Sequence, residues 1–483
     1  MQLIEEIRRI AAEKQSAMCR LADEVWQAAE LNWRETKSAD ATARALEAEG
    51  FAVTRAAAGL ATALEARYGS EGPVIGFLGE YDALDGLSQQ AACPQQAPLA
   101  QGAPGHGCGH NLLGAGAFGA AVILKELVAA GLVRAQVRFF GCPAEEDGAG
   151  KAYMARAGLF RGLDAVFTWH PDAVNAVIGT RTLAVMGVEY RFAGRTAHAA
   201  AAPFAGRSAL DAAELMNVGC NYLREHMIPD ARLHYAYRDA GGKAPNVVPD
   251  RAALHYYIRA PHVDQMLELF ERVNKVAQGA ALMTETQVEW TVIDACSDYR
   301  PNKVLGDLLA DCLAQLGAPD FTDADRQLAE QFRAATPAEQ RIANLHNAEV
   351  FTGRPAAEYA AGLLDETVAP YLHQPGCVEM GSTDVGDASC CAPTAQCYTA
   401  CMALGTGGHT WQFTAQANSS LGRAGMLRAA EAMALAAARA AADPELLRRA
   451  ADELHAALPG GYLCPLPADA VPEFCAPAGE TEN

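Results

Sequence analysis

The chain has 483 residues, which is too long for one ordinary core, because a domain averages roughly 150 residues and two or three units are therefore expected. The formal net charge of -20 argues against a nucleic-acid partner, since neutralising phosphates requires clustered Lys and Arg. The first residues lack a signal-peptide pattern, and no run reaches the about 18 apolar residues of a membrane span. Without a secretory signal, the 14 cysteines indicate a reducing compartment. We therefore expect a cytoplasmic protein without a membrane partner.

The first part of the chain alternates between predicted helices and strands. Apolar positions such as Ile7, Ile10 and Met18 recur at helical spacing near the N-terminus, and 112–131 is a further, more apolar helix. The strand-like runs lie at 61–66, 73–78, 137–140 and 165–167. Because strands that alternate with helices usually pair in parallel, we predict an α/β fold with a mainly parallel sheet.

Near residue 182 the pattern changes to alternating strands around two helices. The strands are at 183–192, 252–259 and 286–293, and the helices are at 208–226 and 263–283. This mixture is typical of a two-layer α+β domain. We therefore predict a discontinuous first domain at 1–182 and 295–483, an inserted second domain at 183–294, and a tail from residue 459 onward that packs loosely or is disordered.

Segment 105–111, Gly-His-Gly-Cys-Gly-His-Asn, places a thiol and an imidazole two residues apart among glycines. Two such groups on a permissive backbone can bind one metal ion, although a Gly-rich segment with Cys and His is as often an ordinary loop. Three further segments strengthen the pattern, because each places ligand-type residues just after a strand-like run. They carry Glu145 with Glu146, His170 and His409.

These four segments are expected to converge, because open α/β sheets bind ligands beyond the carboxyl ends of their strands. The Cys-x-His pair, one glutamate and the two later histidines would suit a pair of divalent cations. The second glutamate would then be left to handle protons. This division of roles is that of metal-assisted hydrolysis.

Nine sequence blocks, taken in order, resemble the M20 metallopeptidase family of dinuclear amidohydrolases, in the branch that carries Cys-x-His. The blocks are 79–84, 105–113, 141–146, 168–171, 197–200, 206–212, 245–248, 381–384 and 409–412. Several blocks in the right order are far more specific than any single motif. The resemblance covers nearly the whole chain and implies a mainly parallel α/β metallohydrolase domain with an inserted α+β two-layer lid and dimerisation domain.

The resemblance also implies roles for the residues of the predicted metal site. It makes Glu145 the general base and Asp82 a residue that orients a ligand, although Asp82 could also cap a helix. Other branches have a histidine ligand where this chain has Glu80, so Glu80 is either a weak ligand or only a neighbour of the ligands. The two divalent ions are expected to be manganese or zinc. Their implied ligands are Cys108, His110, Glu146, His170 and His409.

In the inserted domain, the resemblance assigns His198 to the active site of a partner subunit and Asn246 to the scissile carbonyl. Arg259 matches an arginine that holds a substrate carboxylate, and its spacing of 13 residues from Asn246 predicts that both lie at the same edge of the domain. The alternatives are a strand-end hydrogen bond for His198 and a structural ion pair for Arg259. Arg207 could equally be the anion-binding group.

The resulting hypothesis is a metal-dependent enzyme that hydrolyses an amide bond in a small amino-acid conjugate. Its leading reaction is the conversion of p-aminobenzoyl-glutamate to p-aminobenzoate and glutamate. The alternatives within the family are a dipeptidase and an N-acyl-amino-acid amidohydrolase. The chain could also be a subunit that needs a sister chain, or a binding protein with a decayed site, although the intact Glu145 argues against decay. As a protein partner we expect an identical or a related subunit.

Overall fold

The computed structural model describes residues 2–472 and contains two compact units. Unit 1 comprises residues 2–181, Arg300–Glu379 and Ala388–Tyr462, and unit 2 comprises Thr182–Tyr299, Met380–Asp387 and residues 463–472. The last part of the predicted first domain and of the predicted tail, 473–483, lies outside the described residues. The domain boundaries and the roles assigned to the two domains stay predictions.

The helices and strands are numbered in chain order over the described residues. The helices are α1 (Gln2–Ala28), α2 (Thr36–Ala48), α3 (His110–Ala129), α4 (Gly150–Arg156), α5 (Ala209–Leu223), α6 (Val263–Thr284), α7 (Lys303–Leu316), α8 (Asp323–Ala335), α9 (Ala338–Thr352), α10 (Ala356–Ala360), α11 (Val385–Cys391), α12 (Trp411–Ala417), α13 (Ser420–Ala441) and α14 (Pro444–Ala457). The strands are β1 (Ala52–Arg55), β2 (Leu64–Tyr68), β3 (Val74–Glu80), β4 (Gln136–Cys142), β5 (Ala165–Asp172), β6 (Ala176–Val177), β7 (Arg181–Thr182), β8 (Ala184–Ala193), β9 (Arg232–Asp239), β10 (Arg251–Ala260), β11 (Gln287–Cys296), β12 (Val378–Glu379) and β13 (Thr394–Ala400).

The central sheet of unit 1 has seven strands in the order β1-β2-β4-β3-β5-β13-β6. Its middle strands β4, β3, β5 and β13 run parallel, and the strands that flank them pair antiparallel. Parallel strands are normally covered on both faces. The nearly continuous burial of β3 and β13 meets this requirement. The predicted fold class, a mixed α/β protein with a mainly parallel central sheet, is therefore confirmed.

Helix α3 lies against this sheet and begins at His110, one of the predicted metal ligands. Among the described helices it alone is long and apolar enough to cross a membrane. However, 83% of its most apolar 18-residue stretch is buried inside the protein. Gly114 lets the helix approach β3 closely, because a Cβ atom there would lie 2.4 Å from the carbonyl oxygen of Glu80. The burial of α3 thus results from packing against β3, β5, α1 and α13.

Unit 2 contains a four-stranded antiparallel sheet in the order β11-β8-β10-β9. Alternate side chains of β10, such as Leu254, Tyr256 and Ile258, are buried on the face that packs against α5 and α6. The edge strand β9 was not predicted from the sequence. Its residues 234–238 are exposed on both faces, so no buried alternation marks it.

Candidate metal centre

The predicted ligands of unit 1 converge because their strands are parallel. Glu80 ends β3, Glu145 and Glu146 follow β4, and His170 lies near the end of β5. Strand β13 is parallel to β5, and His409 is on the loop that follows it. Parallel strands bring their carboxyl ends to one edge of the sheet, so all these side chains lie at that edge.

The candidate ligand atoms form three groups, and inside each group all the atoms lie within 4.8 Å of one another. The first contains Cys108, His110 and His170, the second contains Cys108, Glu146 and His409, and the third contains Glu80, His110 and Glu145. The Cys108 thiol belongs to two groups, and its Sγ lies 3.4 Å from His170 Nε2. All five predicted ligands are therefore brought together, with the thiol in the shared position and Glu145 beside them.

Asp82 links two of these side chains. The Nδ1–H of His110 donates to Asp82 Oδ1 at 2.8 Å, and the Glu146 backbone N–H donates to Asp82 Oδ2 at 2.9 Å. The imidazole of His110 is thereby oriented with Nε2 towards the cluster, which is how carboxylates commonly orient metal-binding histidines. The role of Asp82 as an orienting residue stays a prediction, although this geometry is the one it requires.

Two buried polar atoms show that the cluster suits a cation. His110 Nε2 and Glu146 Oε1 have no hydrogen-bond partner in the described part of the chain. Carboxylate oxygens surround that nitrogen, with Glu80 Oε2 at 3.3 Å and Glu146 Oε1 at 3.8 Å. A lone pair that faces carboxylates is unfavourable unless a proton or a metal ion lies between them. The donor set of thiol, imidazole and carboxylate fits a divalent metal.

The electrostatics of the cluster determine which groups hold protons without metal. Burial lowers the pKa of His170 to about 4, so its ring is neutral, and Nδ1–H donates to the Pro171 carbonyl at 2.9 Å. Burial raises the pKa of Glu146 to about 7. Burial and the nearby Glu146 carboxylate raise the pKa of the Cys108 thiol well above its usual range. Burial opposes charge on His110, but Cys108 and Asp82 raise its pKa well above the usual value.

Metal affinity is therefore expected to rise with pH. Cys108, His110 and Glu146 must each release a proton before they can bind a metal, and their raised pKa values mean that protons compete more strongly as the pH falls. Each displaced proton makes the association constant rise by about tenfold per pH unit. Titration calorimetry of Mn²⁺ or Zn²⁺ in buffers with different ionisation enthalpies counts these protons.

Two variants test this pH dependence: Cys108→Ala removes a predicted ligand, and Cys19→Ala is its control. Cys108→Ala should lose metal and proton release together, because it removes the thiol shared by two groups of ligand atoms. Cys19, a half-buried thiol on α1, lies outside these groups, so its variant should behave as wild type. Metal affinity that is independent of pH between 6 and 8, or unchanged in Cys108→Ala, would contradict the assigned ligands.

The loop that carries Glu145 and Glu146 is also held by Glu35. The buried Glu35 carboxyl accepts hydrogen bonds from the Ala144 backbone N–H at 2.8 Å and from Thr62 Oγ1 at 3.0 Å. Burial and the nearby Asp82 charge raise the pKa of Glu35 to about 8. No sequence pattern singled out this residue, because Glu35 is 109 positions from Ala144 and belongs to no motif.

His409 differs from the other predicted ligands in its exposure. Its backbone has a positive φ of 57°, and its side chain is 58% exposed. The backbone N–H donates to the Gly107 carbonyl at 2.8 Å, which ties the loop to the Cys-x-His segment. His409 Nε2 lies 3.3 Å from Glu146 Oε2. The imidazole ring of His409 therefore faces the cluster from its solvent-exposed side.

The predicted residues of unit 2 form two separate groups. His198 forms an isolated β-bridge with Val247, and the Ala199 N–H donates to the Asn246 carbonyl at 2.9 Å, so His198 and Asn246 are neighbours. Both belong to segments that continue beyond the Ala193 and Arg251 end of β8 and β10.

Arg259 lies at the other end of β10. It is eight positions from Arg251, which corresponds to roughly 26 Å at about 3.3 Å per residue. The prediction that Asn246 and Arg259 lie at the same edge is therefore wrong, because the full length of an extended strand separates them. Arg259 Nη1 donates to Ser382 Oγ at 2.7 Å, and the guanidinium stacks over the Tyr257 ring.

Arg207 lies at the His198 end of unit 2, where it forms an isolated β-bridge with Arg195. Its Nε and Nη2 donate to Glu285 Oε2 at 2.9 and 2.8 Å. Its Nη1 donates to the carbonyl oxygens of Phe204 and Gly206. These contacts are those of a structural ion pair, so they favour Arg259 over Arg207 as a group that could receive a ligand anion.

Comparisons with known proteins agree with the resemblance drawn from the motifs. A family model described as peptidase family M20/M25/M40 matches residues 76–436. The chain is 43% identical over 457 residues to the B subunit of p-aminobenzoyl-glutamate hydrolase from Escherichia coli (strain K12), and the match covers 94% of this chain and 95% of the relative. It is 31% identical over 456 residues to Xaa-Arg dipeptidase of Mus musculus, which covers 90% and 88% of the two chains.

A solved structure shows the same fold. The YXEP protein of Bacillus subtilis, a dinuclear metal-binding peptidase from the M20 family, has a TM-score of 0.52 at 18% identity and covers 88% of this chain and 99% of that protein. The predicted enzyme class, a hydrolase of amide or peptide bonds, is confirmed by the family match and the hydrolase relatives. This chain belongs to peptidase family M20/M25/M40.

Proposed function

We propose that the protein hydrolyses the amide bond of a small amino-acid conjugate, with p-aminobenzoyl-glutamate as the first substrate to test. The observation that supports this best is the convergence of four ligand-type side chains on the Cys108 thiol, with Glu145 beside them. The relative with 43% identity over 94% of the chain acts, by its name, on p-aminobenzoyl-glutamate. The proposed architecture is a metal-bearing domain at 1–182 and 295–483 and a lid and dimerisation domain at 183–294.

The charge of the cluster supports two divalent cations. Once the ligands have released their protons, the negative groups are Glu80, Asp82, Glu145, Glu146 and a Cys108 thiolate. These five charges face one positive charge on Lys151, and two divalent cations would neutralise the remaining four. Glu35 is not counted, because its pKa of about 8 keeps the carboxyl protonated at pH 7. Thiolate and imidazole donors favour zinc, whereas the carboxylates also suit manganese, and we propose one of these two.

Glu145 is proposed as the general base. When bound, the metal ions supply Lewis acidity that polarises a carbonyl and makes water a stronger acid. Glu145 Oε2 lies 4.0 Å from His110 Nε2, beside the ligands, and can accept the proton of the attacking water. The same carboxyl then delivers the proton to the leaving nitrogen. Glu146 remains free for ligation, because Asp82 fixes its backbone rather than its carboxylate.

His198 is proposed to stabilise the oxyanion. Its Nδ1 accepts hydrogen bonds from the backbone N–H groups of Ala200 at 3.3 Å and Ala201 at 3.1 Å. Since Nδ1 acts as an acceptor, the neutral ring carries its proton on Nε2. The exposed side chain therefore offers an Nε2–H donor, which can bind the carbonyl oxygen as negative charge develops on it. Asn246, its neighbour, is proposed to assist at the same carbonyl.

The separation inside unit 2 favours an active site built from two subunits. His198 and Asn246 lie at one end of the β8–β10 pair and Arg259 lies at the other, so one small substrate cannot contact both groups of the same chain. We propose that His198 and Asn246 come from the partner subunit and that Arg259 serves its own chain's site. The partner is a second copy or a related chain, because the similar Escherichia coli hydrolase is, by its name, built from more than one kind of subunit.

Mixing His198→Ala subunits with Glu145→Gln subunits is expected to restore about a quarter of wild-type activity. Random exchange makes about half of the dimers mixed, and one of the two sites in each mixed dimer is intact if His198 acts across the interface. Hydrolysis is measured after native mass spectrometry has verified the exchange.

The matched mixture combines Arg259→Ala with Glu145→Gln. It should restore nothing beyond the activity of Arg259→Ala itself, because both defects then affect sites that need their own chain. Recovery in both mixtures would mean that His198 and Arg259 of one chain both act in the partner subunit's site, and this would contradict the argument from their separation along β10. Recovery in neither mixture would assign the site to a single chain.

The test of the proposed function is an assay of the purified full chain loaded with Mn²⁺ or Zn²⁺. Release of p-aminobenzoate from p-aminobenzoyl-glutamate supports the proposal. An Xaa-Arg dipeptide and an N-acyl amino acid, assayed in parallel, represent the dipeptidase and amidohydrolase alternatives. Activity that appears only after a related chain is added would identify an obligate two-subunit enzyme. Absence of hydrolysis with every substrate and partner would reject the proposed function.

A further inference from the structure

A buried ion pair lies next to the metal-ligand cluster and has no role in the mechanism above. Lys151 has a fully buried side chain, and its Nζ lies 2.6 Å from Glu80 Oε1, whose side chain is also buried. A buried charge is costly unless an opposite charge and hydrogen bonds compensate for it. The pair is therefore expected to be maintained whenever the domain is folded.

The two oxygens of Glu80 face different groups. Oε1 accepts from Lys151, whereas Oε2 lies 3.3 Å from His110 Nε2. Glu80, His110 and Glu145 also offer ligand atoms that lie within 4.8 Å of one another. The lysine thus engages one oxygen and leaves the other directed at the predicted ligands.

The position of Lys151 is determined by the loop that carries the two glutamates. Lys151 is the second residue of α4, directly after that loop. A Cβ atom at Gly150 would lie 2.0 Å from the Pro143 carbonyl oxygen, so only glycine allows α4 to begin this close to the start of the loop. The Glu80–Lys151 pair therefore connects the end of β3 to the start of α4, and the hydrogen bond from the Glu146 N–H to Asp82 holds the loop before it.

We propose that Lys151 is a positioning residue that holds Glu80 with Oε2 facing the metal-ligand cluster, so that Glu80 contributes to binding one of the two metal ions. This inference rests on the proposed metal-dependent function and deepens it. It gives Glu80 a defined role: a carboxylate that Lys151 orients. It also explains why a lysine is buried in a chain whose formal net charge is -20.

The test compares metal binding in Lys151→Met, Glu80→Gln and the double variant Lys151→Met with Glu80→Gln. Each apo protein is titrated with Mn²⁺ and with Zn²⁺, and the thiolate-to-metal absorption of the Co²⁺ form is recorded. Removing a residue that orients a ligand typically lowers metal affinity by about 10-fold to 100-fold. We expect this loss for one of the two ions in all three variants, together with a changed Co²⁺ spectrum.

The double variant separates positioning from simple structural support. Lys151→Met alone leaves a buried carboxylate unpaired and can destabilise the domain, whereas the double variant removes both charges. A merely structural ion pair predicts that the double variant binds two ions with wild-type affinity and spectrum, and that result would overturn the inference. Lys125→Met, which removes a mostly buried lysine paired with Glu126 on α3, is the control and should bind both ions as wild type does.

Failure of this inference is distinguishable from failure of the proposed function. If wild type binds two ions and hydrolyses an amide while the double variant binds both ions equally well, only the roles of Glu80 and Lys151 in metal binding are wrong. If wild type binds no divalent ion, the proposed function is wrong, and the positioning role fails with it.

Discussion

Glu145→Gln is expected to lower kcat by about 10²-fold to 10⁴-fold, which is the usual contribution of a general base. The amide has nearly the same shape as the carboxylate but cannot accept the proton of the attacking water. Glu145 shares a group of ligand atoms with Glu80 and His110, whereas the groups that contain Cys108 do not include it. The variant should therefore keep both metal ions and lose turnover. The measurements are steady-state hydrolysis and elemental analysis of the same preparation.

The control for this prediction is Glu71→Gln. Glu71 is a surface residue of unit 1 that pairs with Arg134, and both side chains are more than two-thirds exposed. This variant should match wild type in rate and metal content. A Glu145→Gln enzyme that turns over at nearly the wild-type rate would remove Glu145 from the mechanism. One that loses metal would instead make Glu145 a ligand, as its distance of 4.0 Å from His110 Nε2 also allows.

Arg259→Ala is expected to lower kcat/KM for a glutamate conjugate by about 30-fold to several thousand-fold. Removing one partner of a desolvated charged pair costs about 2 to 5 kcal/mol. Each factor of ten in kcat/KM corresponds to about 1.36 kcal/mol. A guanidinium can hold a carboxylate through two parallel hydrogen bonds, and Arg259 is already oriented by Ser382 and Tyr257. The change is measured by steady-state kinetics with p-aminobenzoyl-glutamate.

Two controls identify the interaction that is lost. An uncharged amide analogue of the substrate should react poorly with wild type and lose little further in Arg259→Ala, because the variant lacks the partner of the carboxylate. Arg251→Ala removes an exposed arginine of the same strand that pairs with Asp239, and it should behave as wild type. If Arg259→Ala hydrolyses the glutamate conjugate as well as wild type, Arg207 becomes the next candidate, despite its contacts with Glu285.

The sequence by itself determined the fold class and the types of residue at the candidate site. Alternating strands and helices predict a mainly parallel sheet, and such a sheet brings the ends of β3, β4, β5 and β13 to one edge. Ligand-type residues that follow those strands must then lie close together. Both inferences depend on patterns within a few residues of each other along the chain. For this reason they could be made without coordinates.

Only the tertiary structure decided which side chains contact one another. It showed that the Cys108 thiol is shared by two groups of ligand atoms, and that Glu80 is held by Lys151. It also paired Arg259 with Ser382, which is 123 positions away. Contacts over such distances depend on how the elements pack, and no local period encodes them.

The position of Arg259 shows the same limit within one domain. A spacing of 13 residues between Asn246 and Arg259 does not define their distance in space until the residues between them are known to form a turn or an extended strand. Here most of them form β10, and an extended strand places its two ends far apart. The sequence motifs therefore identified candidate residues for the site, whereas strand geometry placed His198 and Arg259 of one chain at opposite ends of the β8–β10 pair.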